Sequence, residues 1–251
     1  MPETPSFRRK LQRSLRTCGV ALASPRSAAW RYFDFPPQSA FESTLLRQAP
    51  SLCGLAFVQV GANDGRRADP LARFIDPCKW SGLMLEPLPH NFTGLERQRG
   101  GNPRLTLRQA AVDSARGKRT IYDLRPGLPG LPDWAGGLAS FDRSRVVTAA
   151  RELGLDDQDV VAYEVDTITW DEVWRTFGER CCDLLVLDTE GYDIALLRMA
   201  GLAARRPRLI HFEHACVSAD ERFTFYRELV ALGYDITTQG GDTTANLITP
   251  G

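Results

Sequence analysis

The chain has 251 residues, with 31 basic side chains against 31 acidic ones and 43% hydrophobic residues. That length holds one α/β domain with a large core plus a short appendage. A formal net charge of zero gives no whole-molecule attraction to nucleic acid or to acidic lipid.

Charge is unevenly placed along the chain. Residues 1–31 carry seven basic side chains against one acid, Glu3, which leaves 24 basic and 30 acidic residues in the body. Phe7, Leu11 and Leu15 recur every four residues among those charges, as in a short amphipathic helix with a basic face. Residues 1–50 are therefore expected to form a basic N-terminal helical arm and linker. Such an arm packs on its own domain, is partly disordered, or makes peripheral membrane contact. The apolar segment Cys18–Ala23 is too short for a signal peptide, and no later run approaches membrane-spanning length. The six cysteines show neither a Cys-x-x-Cys pair nor zinc-ligand spacing, which fits reduced structural thiols and a cytoplasmic location.

Phe35-Pro36-Pro37 marks a linker, because tandem prolines cannot continue a helix. A helix over residues 39–48 then leads into the domain expected at 51–251. Leu55-Ala56-Phe57-Val58-Gln59-Val60 reads as a buried strand running into the turn Gly61-Ala62-Asn63-Asp64-Gly65. A helical stretch is expected next, then a second strand, Gly82–Glu86, closed by Pro87. Glu86 stands 21 residues after Gly65. This is a nucleotide-site layout: glycine lets the backbone approach a ligand, and a carboxylate at the next strand's end accepts ribose hydroxyl protons.

The turn lacks the third glycine of a dinucleotide site and carries Asp64 where a pyrophosphate would lie. That placement is unfavourable by about a few kcal/mol at short range in a shielded cleft. An adenosine ligand bearing positive charge suits an acidic turn better than a phosphate does. An ordinary strand-to-helix turn without a ligand is the plainer alternative.

Further along, Leu105–Val112 reads as a third strand ending at Asp113, and Thr120–Leu124 as an extra strand after the Arg116-Gly117-Lys118 turn. Residues 125–145 interrupt the alternation with Pro, Gly and Trp134. They are expected either to cover a polar acceptor such as a sugar, with stacking on the indole, or to form a flexible insertion. Thr169 and Glu172 form a capping box opening a helix with the apolar stripe Trp170, Val173, Trp174 and Phe177. Cys182–Asp188 reads as a central parallel strand and Arg208–His214 as another. Ser218 and Glu221 cap a helix that stops at Gly233, and Tyr234–Thr238 with Ala245–Ile248 form a closing hairpin. Strands alternating with helices indicate a doubly wound sheet whose last strand is antiparallel.

Three segments resemble the FkbM-type family of class I S-adenosylmethionine-dependent methyltransferases. They are Val58–Gly65, Leu85-Glu86-Pro87 with Asn91, and Asp183–Asp193 with Leu196-Leu197. The strand ending Phe212-Glu213-His214 and the lead-in Val165–Thr169 also fit, so the likeness runs from about residue 53 to 248. It implies a Rossmann-like seven-stranded sheet of order 3-2-1-4-5-7-6 with helices on both faces, and methyl transfer to a hydroxyl of a sugar or natural product. Gln59 stands where many relatives have Asp, so a neutral amide replaces a carboxylate that helps hold the methionine end of the cofactor.

Ligands of open α/β sheets sit outside the carboxyl ends of the strands. The cofactor-binding set expected there is Gln59, Gly61, Asn63, Asp64, Gly65, Glu86, Pro87, Asp113 and Asp188. A hydroxyl acceptor must shed a proton, and His214, Glu213 and Glu190 are the catalytic candidates. His214 is preferred over His211, which lies earlier in the strand and reads as a core histidine. No spacing singles out a metal site, although the carboxylates could hold a divalent ion. A small-molecule or glycan acceptor is the expected partner. Nucleic acid is not, since no basic, aromatic-interleaved stripe lies outside the arm. A nicotinamide-dependent oxidoreductase on a nucleotide-sugar-like substrate and a non-catalytic adenosine-binding module are the alternatives. The oligomeric state is not legible.

Overall fold

A computed structural model describes residues 39–47 and 52–248, so the basic arm and its expected membrane contact lie outside the described residues. Ten strands are described: β1 (Ala56–Val60), β2 (Ser81–Leu85), β3 (Leu105–Arg108), β4 (Ala111–Val112), β5 (Gly117–Leu124), β6 (Val160–Ile168), β7 (Leu184–Leu187), β8 (Leu209–Glu213), β9 (Tyr234–Gln239) and β10 (Asp242–Leu247). The helices are α1 (Ala40–Arg47), α2 (Pro89–Arg99), α3 (Arg143–Glu152), α4 (Trp170–Phe177), α5 (Asp193–Met199), α6 (Leu202–Arg205) and α7 (Ala219–Ala231).

Seven strands make the main sheet in the order β3-β2-β1-β7-β8-β10-β9. Pairing is parallel from β3 through β8, and β10 is antiparallel to both neighbours. This is the expected 3-2-1-4-5-7-6 arrangement. The central strands β1 and β7 are buried along their whole length, as apolar runs covered on both faces must be. Alternation divides their side chains: Val58, Val60, Leu185 and Leu187 face one apolar cluster, Phe57, Leu184 and Val186 the other.

The first cluster is closed by α4. Its capping box forms as read, with the Thr169 N–H donating to Glu172 Oε2 at 3.1 Å. Trp170 and Trp174 stack with ring centroids 5.2 Å apart, and their indole N–H groups donate to Leu196 O (2.8 Å) and Ala200 O (3.1 Å). The aromatic stripe is thus core, and it also satisfies the last carbonyls around α5.

Several expectations are corrected. The run 105–112 is two strands, because the chain turns at Arg108–Ala110 (Ala110 N to Arg108 O, 3.1 Å) and delivers β4 to a separate three-stranded sheet, β4-β6-β5. The extra strand begins at Gly117 and pairs antiparallel with β6 along its length, a strand of which only the end was read. No regular helix joins β1 to β2. Residues 66–79 are turns, broken by positive φ at Ala68 and Lys79, yet they bury Leu71, Phe74 and Ile75. The short helix α1, before the boundary expected at 50/51, packs on the domain. Phe41 and Leu45 of α1 are fully buried in the second cluster, and the Phe41 ring lies 4.6 Å from that of His211. Among the described residues no helix is long and apolar enough to cross a membrane.

Replacing Trp174 with Ala is expected to destabilise the fold by about 3–5 kcal/mol, the range for a large buried aromatic, read as a lowered urea midpoint. Trp174→Phe should recover part of that loss, since it restores the ring contact and leaves only the Ala200 carbonyl without its donor.

Candidate active site

A cleft of about 630 Å³, its open mouth included, lies at the carboxyl ends of β1, β2 and β7, within the range that ligand sites span. Its polar floor is built by two turns that touch. Gly61 has φ +80°, and a Cβ there would stand 1.9 Å from the Asp188 backbone oxygen, so only glycine lets the turn after β1 meet the turn after β7. Asn63 follows with φ 47°, a region that Asn tolerates. Its backbone N–H donates to Glu86 Oε2 at 2.9 Å, and its side-chain amide donates to Gly136 O at 3.3 Å.

Glu86 is buried, and its other oxygen accepts the Leu88 N–H at 2.9 Å. Burial pushes its carboxyl up to about 7, against the pull of the Leu88 and Asn63 N–H groups. Each oxygen retains a lone pair for a further donor. The remaining walls are Val112, Ile121, Ala139, Phe141, Tyr192 and Leu196, with Asn91 and Pro87 at one side and Asp188 and Thr189 at the other. Asp188 is exposed to this cleft. None of the lining residues is basic.

The expected cofactor set is thereby divided. Gly61, Asn63, Glu86, Pro87 and Asp188 line the cleft. Gln59 is buried within β1 and donates to Asp69 Oδ1 at 3.0 Å. Asp64 turns away from the cleft. Its carboxylate accepts the Arg66 and Arg67 N–H groups (3.0 and 2.9 Å) and pairs with Arg67 Nε at 2.7 Å. Burial pushes its pKa up, but those bonds outweigh burial and hold it below the ordinary value. The acids that face the cleft are therefore Glu86 and Asp188 rather than Asp64. Gly65 gives room to Leu95 and Arg99 of α2. Asp113 acts one step behind the wall, accepting from Tyr192 Oη at 2.9 Å and from Arg119 Nη1 at 2.7 Å.

Of the catalytic candidates, Glu190 and Glu213 come together with Cys216, ligand atoms of all three lying within 4.8 Å of one another. Glu190 has φ 52°, an uncommon conformation for a residue other than glycine, of the kind that clusters at functional sites. Burial first, then the neighbouring Glu213, pushes Glu190 up to about 8. Arg145 opposes that shift. Glu213 rises to about 7, by burial and then by Asp193 and Asp242. Asp188 opens on the cleft, yet the protein packed around it, and then the neighbouring Asp193, Glu190, Glu213 and Asp242, drive it well above its ordinary value.

His214 does not line the cleft. Strand alternation carries it to the face of Ile210 and Phe212, where its Nδ1 lies 2.8 Å from Thr243 Oγ1, and burial lowers its pKa. His211 is a core histidine as read, 3.0 Å from Thr244 Oγ1 and held down to about 4 by burial. Sequence reasoning passed over Arg145 and Cys216, which stand in no motif, and Phe141 and Tyr192, which were quoted within segments but given no role.

The wall over the cleft comes from the segment 125–145. It contains a short 3-10 helix (Asp133–Gly137) and packs Leu128, Leu131 and Leu138 near Leu124, Val146 and Ala150. The Ser140 hydroxyl donates to Glu190 O at 3.1 Å. The segment is packed structure, with the stacking expected of the Trp134 side chain outside the described residues.

A family model, the methyltransferase FkbM domain, matches residues 59–236. The chain belongs to the FkbM methyltransferase family. Among solved structures, the methyltransferase FkbM from Methylobacillus flagellatus KT is similar at TM-score 0.50 and 16% identity, over 82% of this chain and 46% of that one. The METTL16 MTase domain gives 0.42 and 10%, over 83% and 65% of the two chains. The Methanococcus jannaschii fibrillarin pre-rRNA processing protein gives 0.41 and 8%, over 84% and 75%. The chain spans about half the length of the Methylobacillus FkbM structure. No curated protein sequence matches it. The FkbM match ends within β9 and contains every residue that lines the cleft.

Gly61→Ala tests whether the two FkbM turns meet as described. Gly127 also has positive φ (+83°) but has open space around it, so Gly127→Ala is expected to lose only the left-handed penalty of about 1–2 kcal/mol. Gly61→Ala should lose clearly more in thermal melts. Equal losses would show that the close approach to Asp188 does not matter.

Proposed function

We propose that this FkbM family member transfers a methyl group from S-adenosylmethionine to a hydroxyl of a small molecule or glycan. The observation that carries the reading is the charge of the cleft: two carboxylates, Glu86 and Asp188, and no basic side chain among its lining residues. A dinucleotide would bring two phosphates to these acids without a compensating cation, which disfavours a nicotinamide-dependent oxidoreductase. A ligand carrying an ammonium and a sulfonium is attracted there.

The donor set fits such a ligand. Glu86 has lone pairs left for ribose hydroxyls, the Asn63 turn and Pro87 border the same end, and Ile121, Val112, Phe141 and Leu196 offer an apolar bed for a base. Asp188 faces the cleft at the other end, nearest the carboxyl cluster. S-adenosylmethionine when bound supplies an electrophilic methyl group and a neutral leaving thioether. The protein's part is alignment, for which well-oriented reactions gain about 7–11 kcal/mol. The packed wall at Gly137–Phe141 keeps water from that end, and the carboxyl cluster beyond Thr189 is where an acceptor hydroxyl would give up its proton.

Binding of S-adenosylhomocysteine, measured by calorimetry, tests the first half of the reading. Glu86→Ala should lose about 1–3 kcal/mol, as for hydrogen bonds to a charged group. The ionised carboxylate is the form that accepts two ribose donors, and its pKa is pushed up to about 7. Affinity is therefore expected to be full above pH 7 and to weaken as pH falls through it, with Glu86→Gln removing that dependence. Unchanged affinity in a folded Glu86→Ala, or preferential binding of a dinucleotide, would sink the assignment.

The second half is tested with methyl-labelled donor and a panel of glycans, glycolipids and small hydroxylated acceptors, the product located by mass. Label on an oxygen of one acceptor class is the expected result. Label on nitrogen or carbon would refute O-methylation.

A further inference from the structure

Beyond the cleft, the ends of β7 and β8 gather more negative charge than the fold neutralises. Asp188, Glu190, Asp193, Glu213 and Asp242 influence one another, and the cation that Glu190 and Glu213 feel is Arg145. Arg145 is only loosely engaged. Its Nη2 stands 3.8 Å from Glu190 Oε2, its Nη1 donates to the Cys216 backbone oxygen at 3.2 Å, and its Nε has no partner.

Two further atoms are left without hydrogen bonds in this region. Asp193 is completely buried, with Oδ2 taken by the Thr189 N–H and hydroxyl (3.2 and 2.7 Å) and Oδ1 unpartnered. Glu213 is half-buried, its Oε2 shielded from solvent without a hydrogen bond, although the Cys216 thiol pulls on the same carboxyl. Buried carboxylates without donors are strongly disfavoured unless a cation or protons accompany them. The Cys216 sulfur lies within 4.8 Å of a carboxylate oxygen of Glu213.

We propose that Glu190, Glu213 and Cys216 bind a divalent cation, with Asp188 and Asp193 supplying further negative charge behind them. Their ligand atoms already lie within 4.8 Å of one another. They come from three segments that the fold fixes independently: the turn after β7, the end of β8, and the loop before α7. Two carboxylate oxygens and a thiolate suit Zn²⁺, which accepts both donor types and keeps a fourth position for an outside ligand. Binding displaces the thiol proton and any proton held by the carboxyls to solvent. The site adjoins the cleft through Thr189, which lines it. On the O-methyl transfer proposed above, the fourth position takes the acceptor hydroxyl and lowers its pKa.

The test uses the full chain with Zn²⁺ and Co²⁺ as probes, without methyl donor, so that it stands apart from the methyl-transfer reading. Calorimetry is expected to give one Zn²⁺ per chain with proton release. Glu190→Gln and Glu213→Gln should each weaken binding at least tenfold while melting near the wild type. The Co²⁺ form should show thiolate-to-metal charge-transfer absorption that is lost in Cys216→Ser and kept in Cys53→Ser. Absence of stoichiometric binding, or a Co²⁺ spectrum indifferent to Cys216→Ser, would overturn the site. S-adenosylhomocysteine binding in the same preparation reports separately on the cofactor cleft. If Zn²⁺ binds as described but methyl transfer is unchanged in chelator, the role at the acceptor is overturned.

Discussion

The Glu86 carboxylate is the interaction on which the site depends. Its two oxygens tie the backbone N–H of Asn63, in the turn after β1, to that of Leu88, at the entry to α2. It thereby joins the turn after β1 and the connection from β2 to α2 into one rim of the cleft. A buried carboxyl with only neutral donors is held near the edge of ionisation, which its rise to about 7 reflects. The same group is a structural clasp and, on the function proposed above, the receptor for hydroxyl donors. Any change that frees it from Asn63 or Leu88 alters the shape of the cleft as well as its charge.

Around that clasp, the sheet sorts functions by position. Carboxyl ends of neighbouring parallel strands open toward the same side, so acids at the ends of β2, β7 and β8 accumulate there by topology alone. The apolar walls keep their dielectric low, which raises Asp188, Glu190 and Glu213 together. On the proposals made above, the same field would favour a cationic ligand on the Glu86 side and a cation on the Glu213 side. One electrostatic field serves both ends.

Much of this was legible in the sequence because the motifs are local. Gly61, Asn63, Glu86, Pro87 and Asp188 lie at strand ends, where a turn fixes which way the chain faces; the alternation of strands and helices indicates a doubly wound sheet, and its strand order came from the family resemblance. Position within a motif does not give direction, however. Asp64 and Gly65 stand beside cleft residues but serve the local turn and the packing of α2. His214 failed for a similar reason: one residue past Glu213, alternation sends it to the opposite face and onto Thr243. Arg145 meets Cys216 and Phe141 meets Arg119 across long stretches of sequence, and nothing in their spacing announces either meeting. The break at Arg108–Ala110 was hidden because apolar residues continue across it while the backbone changes sheets.

That change of sheets explains why the three-stranded sheet is part of the site. Arg119 on β5 pairs with Asp113 just past β4 and lies 3.8 Å from the Phe141 ring and 5.1 Å from that of Tyr192. Asp113 in turn accepts from Tyr192 Oη. Two lining aromatics, one on the segment over the cleft and one on the turn before α5, are thus fixed to the small sheet through a single guanidinium. Tyr122 and Ser140 exchange backbone hydrogen bonds of 2.9 Å in each direction, which fastens the covering segment to the same strand. The cover is therefore anchored at its C-terminal end, beside Glu190, where Ser140 reaches that residue's carbonyl. Farther back, the Asn63 amide donating to Gly136 O at 3.3 Å ties the cover to the turn after β1 as well, and Leu128 and Leu131 pack beneath it.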